Sequence, residues 1–236
     1  MPPKILVGCP TAVYKEYCLC QYAKAATSLR YGNYDIVIVD NSPSEEYKKN
    51  LEEAFNSYNK NNLKITILKG DHLEHAKERI VSSRNLIRDY ALNNNYDYFL
   101  SLEQDVIPPP DIIEQLLSHG KRVISALYFS EYEENNEKVI RPLVWLKDAS
   151  GKLQFINPIM LNEPRLMKIH ASGLGCVLIK NTILKRFKFR LFDDRSTYDD
   201  MPFYFDLFAN KIPVYIDTAV KCKHLIKGMN WNVLKE

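Results

Sequence analysis

No stretch of the 236-residue chain approaches the roughly 20 consecutive apolar residues that a membrane-spanning helix requires. The run ILVGCPTAV (Ile5–Val13) is too short and too soon interrupted to serve as a signal anchor. The expectation is a protein without a transmembrane segment, cytoplasmic or peripheral at a membrane. The first apolar run is followed neither by GxGxxG nor by GxxxxGK with Ser or Thr, which disfavours a dinucleotide-dependent dehydrogenase and a phosphate-loop enzyme. Five cysteines are scattered, and Cys18 and Cys20 stand one residue apart, not the two of a redox or zinc pair. They read as reduced thiols packed as small hydrophobes. The formal charge of +3 is close to balance and gives no reason to expect nucleic acid as a partner. There is no internal repeat and no linker, so residues 1–236 read as a single domain. A hydrophobic share of 46% is enough to fill its core.

What is present is an alternation of two periods. Apolar runs at Lys4–Cys9, Tyr34–Val39, Leu63–Leu68, Tyr96–Leu102 and Arg122–Tyr128 read as strands. Helical patterns lie between them at about Lys15–Leu29, Ser44–Asn59, His75–Leu92 and Asp111–Leu117. Strands without polar alternation, separated by helices, predict an α/β fold: a mostly parallel central sheet with helices on both faces. After Tyr128 the pattern changes. Glu131–Glu137 reads as a charged loop, Val139–Leu146 with Lys152–Ile156 as a hairpin, and Ser172–Ile179 as a glycine-opened strand. A short helix over Pro202–Asn210 and a strand over Pro213–Val220 follow, so the second half carries a small antiparallel addition.

The first four strands each end in a small or acidic cluster: Cys9-Pro10-Thr11, Asp40-Asn41-Ser42, Gly70-Asp71 and Glu103-Gln104-Asp105. Parallel strands bring these ends to one edge, where open α/β sheets bind ligands. In FLSLEQDVIPPPDII (Phe99–Ile113), Glu103 and Asp105 would lie on one side of an extended chain. They read either as a solvated surface turn or as a platform for Mg²⁺ or Mn²⁺, with the prolines stiffening the loop behind. His224 is structural unless the last strand brings it near Asp105. Asp199-Asp200 precede the last helix and either cap it or act as a base, and a helix N-terminus would lower the pKa of such an acid. Arg84 is an exposed helix charge or a partner for an acid or phosphate. Leu184–Phe192 (LKRFKFRLF) mixes basic and aromatic residues and reads as a strand or helix end with solvated lysines, or as a contact for lipid or an anionic acceptor.

Taken in order, these motifs resemble the GT-A glycosyltransferases, especially the family-2-like inverting enzymes, over roughly the first 225 residues. The resemblance is carried by ILVGCPT, IVIVDNS at the second strand end and SSRN (Ser82–Asn85). It continues through YFLSLEQD at the place of a DxD motif, SGLGCVLIKN, DDMPFYFDLFANKIPVYID and the terminal KCKH. It implies a GT-A, Rossmann-like fold in which residues 1–128 bind a nucleotide-diphosphate sugar, UDP- or GDP-linked, and residues 129–236 bind the acceptor. By that analogy Pro10, Thr11, Asp40, Arg84, Glu103 and Gln104 contact the donor. Asp105 and His224 hold a divalent ion, Mn²⁺ or Mg²⁺, and Gly173, Leu174 and Gly175 face a glycan, lipid-linked or protein acceptor. Asp200 is the catalytic base with Asp199 in support, and a single base implies inversion. The chain departs from the pattern in Glu-Gln-Asp for DxD and Asp-Asp for Glu-Asp. It also lacks QxxRW, so transfer of a single sugar is expected over polymer synthesis. A catalytically silent GT-A-like domain that binds sugar nucleotides or a partner is the alternative from another class. A nucleotidyltransferase would carry a glycine- and arginine-rich loop after the first strand, where Pro10-Thr11-Ala12 offers none.

Overall fold

The computed structural model describes residues 2–161 and 163–227. The first half alternates as expected: β1 (Ile5–Thr11), α1 (Leu19–Ala26), β2 (Tyr34–Asp40), α2 (Glu46–Tyr58), β3 (Ile65–Lys69), α3 (Ala76–Asn93) and β4 (Tyr98–Leu102). A turn leads to β5 (Val106–Ile107), α4 (Ile112–Ser118) and β6 (Val123–Leu127). The second half adds β7 (Phe129–Glu134), β8 (Glu137–Pro142), β9 (Val144–Lys147), β10 (Leu153–Phe155), β11 (Leu166–Ile169) and β12 (Ala171–Ser172). It closes with β13 (Cys176–Lys180), α5 (Asn181–Leu184), α6 (Asp200–Ala209), β14 (Val214–Lys221) and β15 (Lys223–His224).

The central sheet has eight strands in the order β3-β2-β1-β4-β13-β6-β14-β11. β1 to β4 are mutually parallel and β14 is parallel to β6, while β13 runs antiparallel between β4 and β6 and β11 is antiparallel to β14. Alternate side chains of each strand enter two separate cores, which is why the runs lack polar positions. Ile5, Val7, Ile36 and Ile38 pack with Tyr22 of α1, Phe55 of α2 and Leu116 of α4. Leu6, Val37 and Val39 pack on the other face with Ile87 of α3 and Phe203 of α6. Each fully buried aliphatic side chain contributes about 1.5–3 kcal/mol, so both faces hold the sheet in place. The strand order reverses between β1 and β4, and this switch point opens the crevice in which the site lies.

Several local expectations are corrected. Glu131–Glu137 is not a loop: β7 and β8 pair antiparallel through it, turning at Asn135 and Asn136 with φ of 54° and 65°. Two consecutive left-handed residues make the type I′ turn that matches strand twist, and asparagine tolerates that region. Cross-strand pairs Arg141–Glu134 and Lys138–Glu131 use the charges that suggested a loop. The expected hairpin from Val139 is consequently divided, since β8 belongs to β7 and only β9 pairs with β10. The helix expected over Lys15–Leu29 begins as a 3₁₀ turn at Val13–Cys18 and ends at Ala26. In Leu184–Phe192, Phe189 is buried and stacks on Phe203, whereas Lys185, Arg186, Lys188 and Arg190 are exposed. No helix among the described residues is long and apolar enough to cross a membrane.

The crossing of α3 over β1 depends on Gly8. A Cβ there would stand 2.4 Å from Ile87 Cγ2 and 2.6 Å from the Phe99 ring, closer than packed carbons approach. Gly8→Ala is therefore expected to lower stability by about 1–3 kcal/mol through overpacking, read as a reduced urea midpoint at unchanged slope. An unchanged midpoint would refute the packing argument.

Candidate active site

A cavity of about 630 Å³ lies at the C-terminal ends of β1, β2 and β4. Pro10 and Thr11 line it from β1, Asn41 from the end of β2, and Glu103, Gln104 and Asp105 from the turn after β4. Gly173 and Leu174, then Asp199 and Asp200 at the start of α6, line it from the second half, and His224 closes the set.

The acidic turn differs from the expected extended chain. The Val106 amide donates to Glu103 O at 2.9 Å, so residues 103–105 reverse direction and their side chains diverge. Glu103 turns toward α3, where Arg84 Nη2 donates to its Oε1 at 2.8 Å. Asp105 turns the opposite way, toward Lys15 and His224. Gln104 points inward and fastens the turn: its Nε2 donates to Lys15 O at 2.6 Å, and its Oε1 accepts from the Thr11 hydroxyl. The two carboxylates thus do not face each other, and each has its own cation.

Arg84 is 1% exposed and lies beneath the cavity, not in its wall. Besides Glu103 it donates through Nε to Asp199 Oδ2 at 2.7 Å and through Nη1 to Ser101 Oγ at 2.6 Å. Burial opposes its charge, yet Asp199 and Glu103 together raise its pKa. Asp199 therefore does not cap α6 with its side chain. Burial raises its pKa and the Arg84 charge pulls it back.

Asp200 is placed differently. Its Oδ1 accepts the Met201 amide at 2.8 Å, and no salt bridge to it is present among the described residues. Burial, then the neighbouring Asp199 charge, push its pKa up to about 6. The expectation of a lowered pKa is overturned: desolvation and a like charge outweigh the helix N-terminus.

His224 reaches Asp105 through backbone pairing. β15 is antiparallel to β5 with His224 opposite Val106, and the Leu225 amide donates to Asp105 O at 2.6 Å. His224 Nδ1–H donates to Phe129 O at 2.8 Å, and Nε2 lies 3.3 Å from Asp105 Oδ2: in the protonated ring it donates to that carboxylate, and in the neutral ring its lone pair would serve an ion. Asp105 Oδ1 is buried with no hydrogen-bond partner among the described residues. Burial would raise the Asp105 pKa, but the His224 hydrogen bond and the Lys15 charge hold it at about 2. An ionised carboxylate with an orphaned oxygen, beside an imidazole oriented by a carbonyl, fits a divalent ion. Among the described residues no group of three or more His, Cys, Asp or Glu could hold one, so other oxygens must complete its shell.

The remaining predicted residues are placed as follows. Asp40 is fully buried outside the cavity wall, accepting from Lys69 Nζ at 3.0 Å and the Ser42 amide at 2.9 Å, and it shapes the loop from which Asn41 lines the cavity. A Cβ on Gly173 would stand 2.1 Å from the Tyr128 hydroxyl, and one on Gly175 2.7 Å, so these glycines accommodate that ring. Tyr128 accepts the Gly175 amide at 2.8 Å and meets His224 edge-on at a centroid distance of 5.4 Å. Sequence reasoning missed Tyr128 and Lys15. The position of Lys15 six residues behind Cys9, in the segment following an acid-lined strand edge, was the signal available.

No family model and no curated protein matches the chain by sequence. Solved structures do match by fold. GalNAc-T7 with UDP, GalNAc and Mn²⁺ aligns over 95% of this chain and 44% of its own, with a TM-score of 0.66 and 12% identity. The mannosyltransferase PcManGT from Pyrobaculum calidifontis, in complex with GDP-Man and Mn²⁺, aligns over 99% of this chain and 60% of its own, at 0.62 and 11%. S. aureus TarS 1-349 in complex with UDP-GlcNAc aligns over 96% and 61%, at 0.55 and 12%. The architecture is thus GT-A-like, and the chain spans under two thirds of the length of each of these three.

Removing the buried cation should leave Glu103 and Asp199 unpaired. Arg84→Met is expected to cost about 3–5 kcal/mol at pH 7, and less at pH 5, where the abandoned acids take up protons. Urea denaturation at both pH values measures this, and a loss under 1 kcal/mol at pH 7 would contradict the network. Asp200 carries the opposite sign. Its folded pKa lies above the ordinary 3.8, so stability falls as pH rises from about 4 through about 6. Asp200→Asn should flatten that fall and stabilise the protein at pH 7 by on the order of 2 kcal/mol.

Proposed function

We propose that the protein is a glycosyltransferase that moves a single sugar from a nucleotide-diphosphate sugar to a hydroxyl acceptor, with metal dependence and inversion at the anomeric carbon. The observation that carries this reading is one cavity with two unlike carboxylates. Asp105 is held ionised beside His224, with an orphaned oxygen, while Asp200 lines the same cavity with its pKa raised to about 6. The first suits a cation and the second suits a general base. UDP, UDP-GlcNAc and GDP-Man in structures of like fold support a nucleotide-sugar donor, and Mn²⁺ in two of them supports the ion.

Asp105 and His224 Nε2 would hold the ion, which when bound supplies positive charge to a diphosphate leaving group. Pro10, Thr11 and Asn41 form the wall against which a nucleoside would lie, and Glu103, kept in place by Arg84, faces the cavity beside it. The Asp200 carboxylate takes the proton of the acceptor hydroxyl. As that proton leaves, the acceptor oxygen bonds to the anomeric carbon and the bond from that carbon to the diphosphate oxygen breaks. With one base and one displacement the anomeric configuration inverts. Asp199 orients the start of α6 through Arg84 and takes no proton itself. The chain works as one domain in this reading, with residues 1–128 on the donor side and 129–236 on the acceptor side.

A panel of UDP- and GDP-sugars with Mn²⁺, followed by donor hydrolysis and transfer, tests the reading. Asp200→Asn should lower kcat at least 10³-fold with donor affinity kept within threefold, whereas Asp105→Asn should lower donor affinity in Mn²⁺. The wild-type rate should rise with pH through about 6, because only the ionised Asp200 accepts a proton. Donor binding by the wild type without turnover, across the whole panel, would instead identify a silent sugar-nucleotide-binding domain.

A further inference from the structure

We propose that Lys15 is a resident counter-cation of the donor site: its ammonium contends with a divalent ion for Asp105 and transfers to the diphosphate when that ion binds. The inference rests on the diphosphate reading of the cavity given above.

Lys15 lines the cavity and its Nζ is ion-paired to Asp105 Oδ2. The Asp105 side chain is 4% exposed and that of Lys15 is 40% exposed, so the ammonium reaches the buried acid from the open side, where an incoming ion must also arrive. The placement is built in. The Lys15 amide donates to Ala12 O at 2.9 Å, and Lys15 O accepts from Gln104 Nε2 at 2.6 Å. Gln104 is the immediate neighbour of Asp105, so the turn that presents the acid also holds the backbone that presents the lysine. The middle residue of the Glu-Gln-Asp motif thereby has a role: it couples the two.

The chemistry follows from charge and reach. Glu103 is already paired with Arg84, so Asp105 is the anionic ligand left for an ion on its side of the turn. A divalent ion on that carboxylate repels an ammonium in contact with it, and the two cannot both keep their places. The four-carbon stem lets the ammonium swing with the backbone fixed, and its three donors suit phosphate oxygens. Arg79, another cation in the wall, is occupied with Leu73 O and Glu74 O. An entering diphosphate therefore gives Lys15 a second partner and releases Asp105 to the ion. Ion and nucleotide should bind with positive coupling, each tightening the other by the same factor.

The test is binding by the full chain. In nucleotide-free protein, Lys15→Met should raise the affinity for Mn²⁺ alone at least tenfold, by electron paramagnetic resonance titration. With Mn²⁺ saturating, the same variant should bind inorganic pyrophosphate at least tenfold more weakly, by calorimetry, and Lys15→Arg should retain most of that affinity. Lys15→Gln serves as the second neutral variant if the methionine form fails to fold, judged by circular dichroism. Mn²⁺ affinity that stays the same or falls in a folded neutral variant overturns the proposal, as does pyrophosphate affinity that does not drop. Wild-type protein that binds no nucleoside diphosphate with Mn²⁺ would sink the transferase reading. The Mn²⁺ titration would still decide whether Lys15 contends for Asp105.

Discussion

The site depends on one buried guanidinium. Arg84 comes from the middle of α3 and ties together Ser101 in β4, Glu103 in the turn and Asp199 at the start of α6. These elements lie far apart in sequence, and an unpaired charge at this depth would cost several kcal/mol. The network is therefore satisfied in one arrangement of three elements and in no partly shifted one. Ser101 passes the constraint on: its hydroxyl accepts from Arg84 and donates to Leu174 O at 2.7 Å, which fixes the glycine-flanked segment beside the cavity. Packing of two apolar cores makes the sheet, but this cation sets where its acidic edge meets the second half of the chain.

Distribution of counter-charge then divides the acids by setting. Glu103 and Asp199 share Arg84, and Asp105 has Lys15 and His224. Asp200, one residue from Asp199, has only a backbone amide among the described residues, and the nearby Asp199 charge works against its ionisation. Four carboxylates in one region thus fall into two that share a guanidinium, one held between a lysine and an imidazole, and one that meets a backbone amide. Residue type does not separate them, because aspartate stands in all three settings. What separates them is the reach of Arg84: its planar fork satisfies the acid before Asp200 in the chain and leaves Asp200 turned to the cavity.

The layout of the sheet was legible in sequence because its strands are buried on both faces. Runs such as IVIV (Ile36–Val39) admit no polar residue, and their helical spacers show a different period. Acids, small residues and His224 at the cavity edge follow from parallel connectivity and from the ordered motifs. What escaped was whatever depends on partners distant in the chain. The EYEENNE segment reads as solvent-loving, yet its charges pair across a hairpin whose asparagines hold the left-handed turn. Glu103 and Asp105 look like neighbours on an extended strand, yet the hydrogen bond from Val106 to Glu103 turns the chain between them. The Asp200 pKa escaped for a similar reason: a helix start argues for a low value, and only the fold shows the burial that reverses it.

Tyr128 links the two ends of this reading. The resemblance assigned Gly173-Leu174-Gly175 to an acceptor. The geometry gives another cause: the Tyr128 ring already fills the space that a side chain at Gly173 or Gly175 would need. The same ring packs edge-on against His224, whose Nδ1 is held by the next residue, Phe129. Strand end, glycine segment and imidazole are therefore packed around one ring. A bulkier residue at Gly173 would push on Tyr128 and, through it, on the nitrogen that faces Asp105. The glycine-flanked segment and the His224–Asp105 pair belong to one packed unit, and glycine is required there by the protein's own aromatic ring.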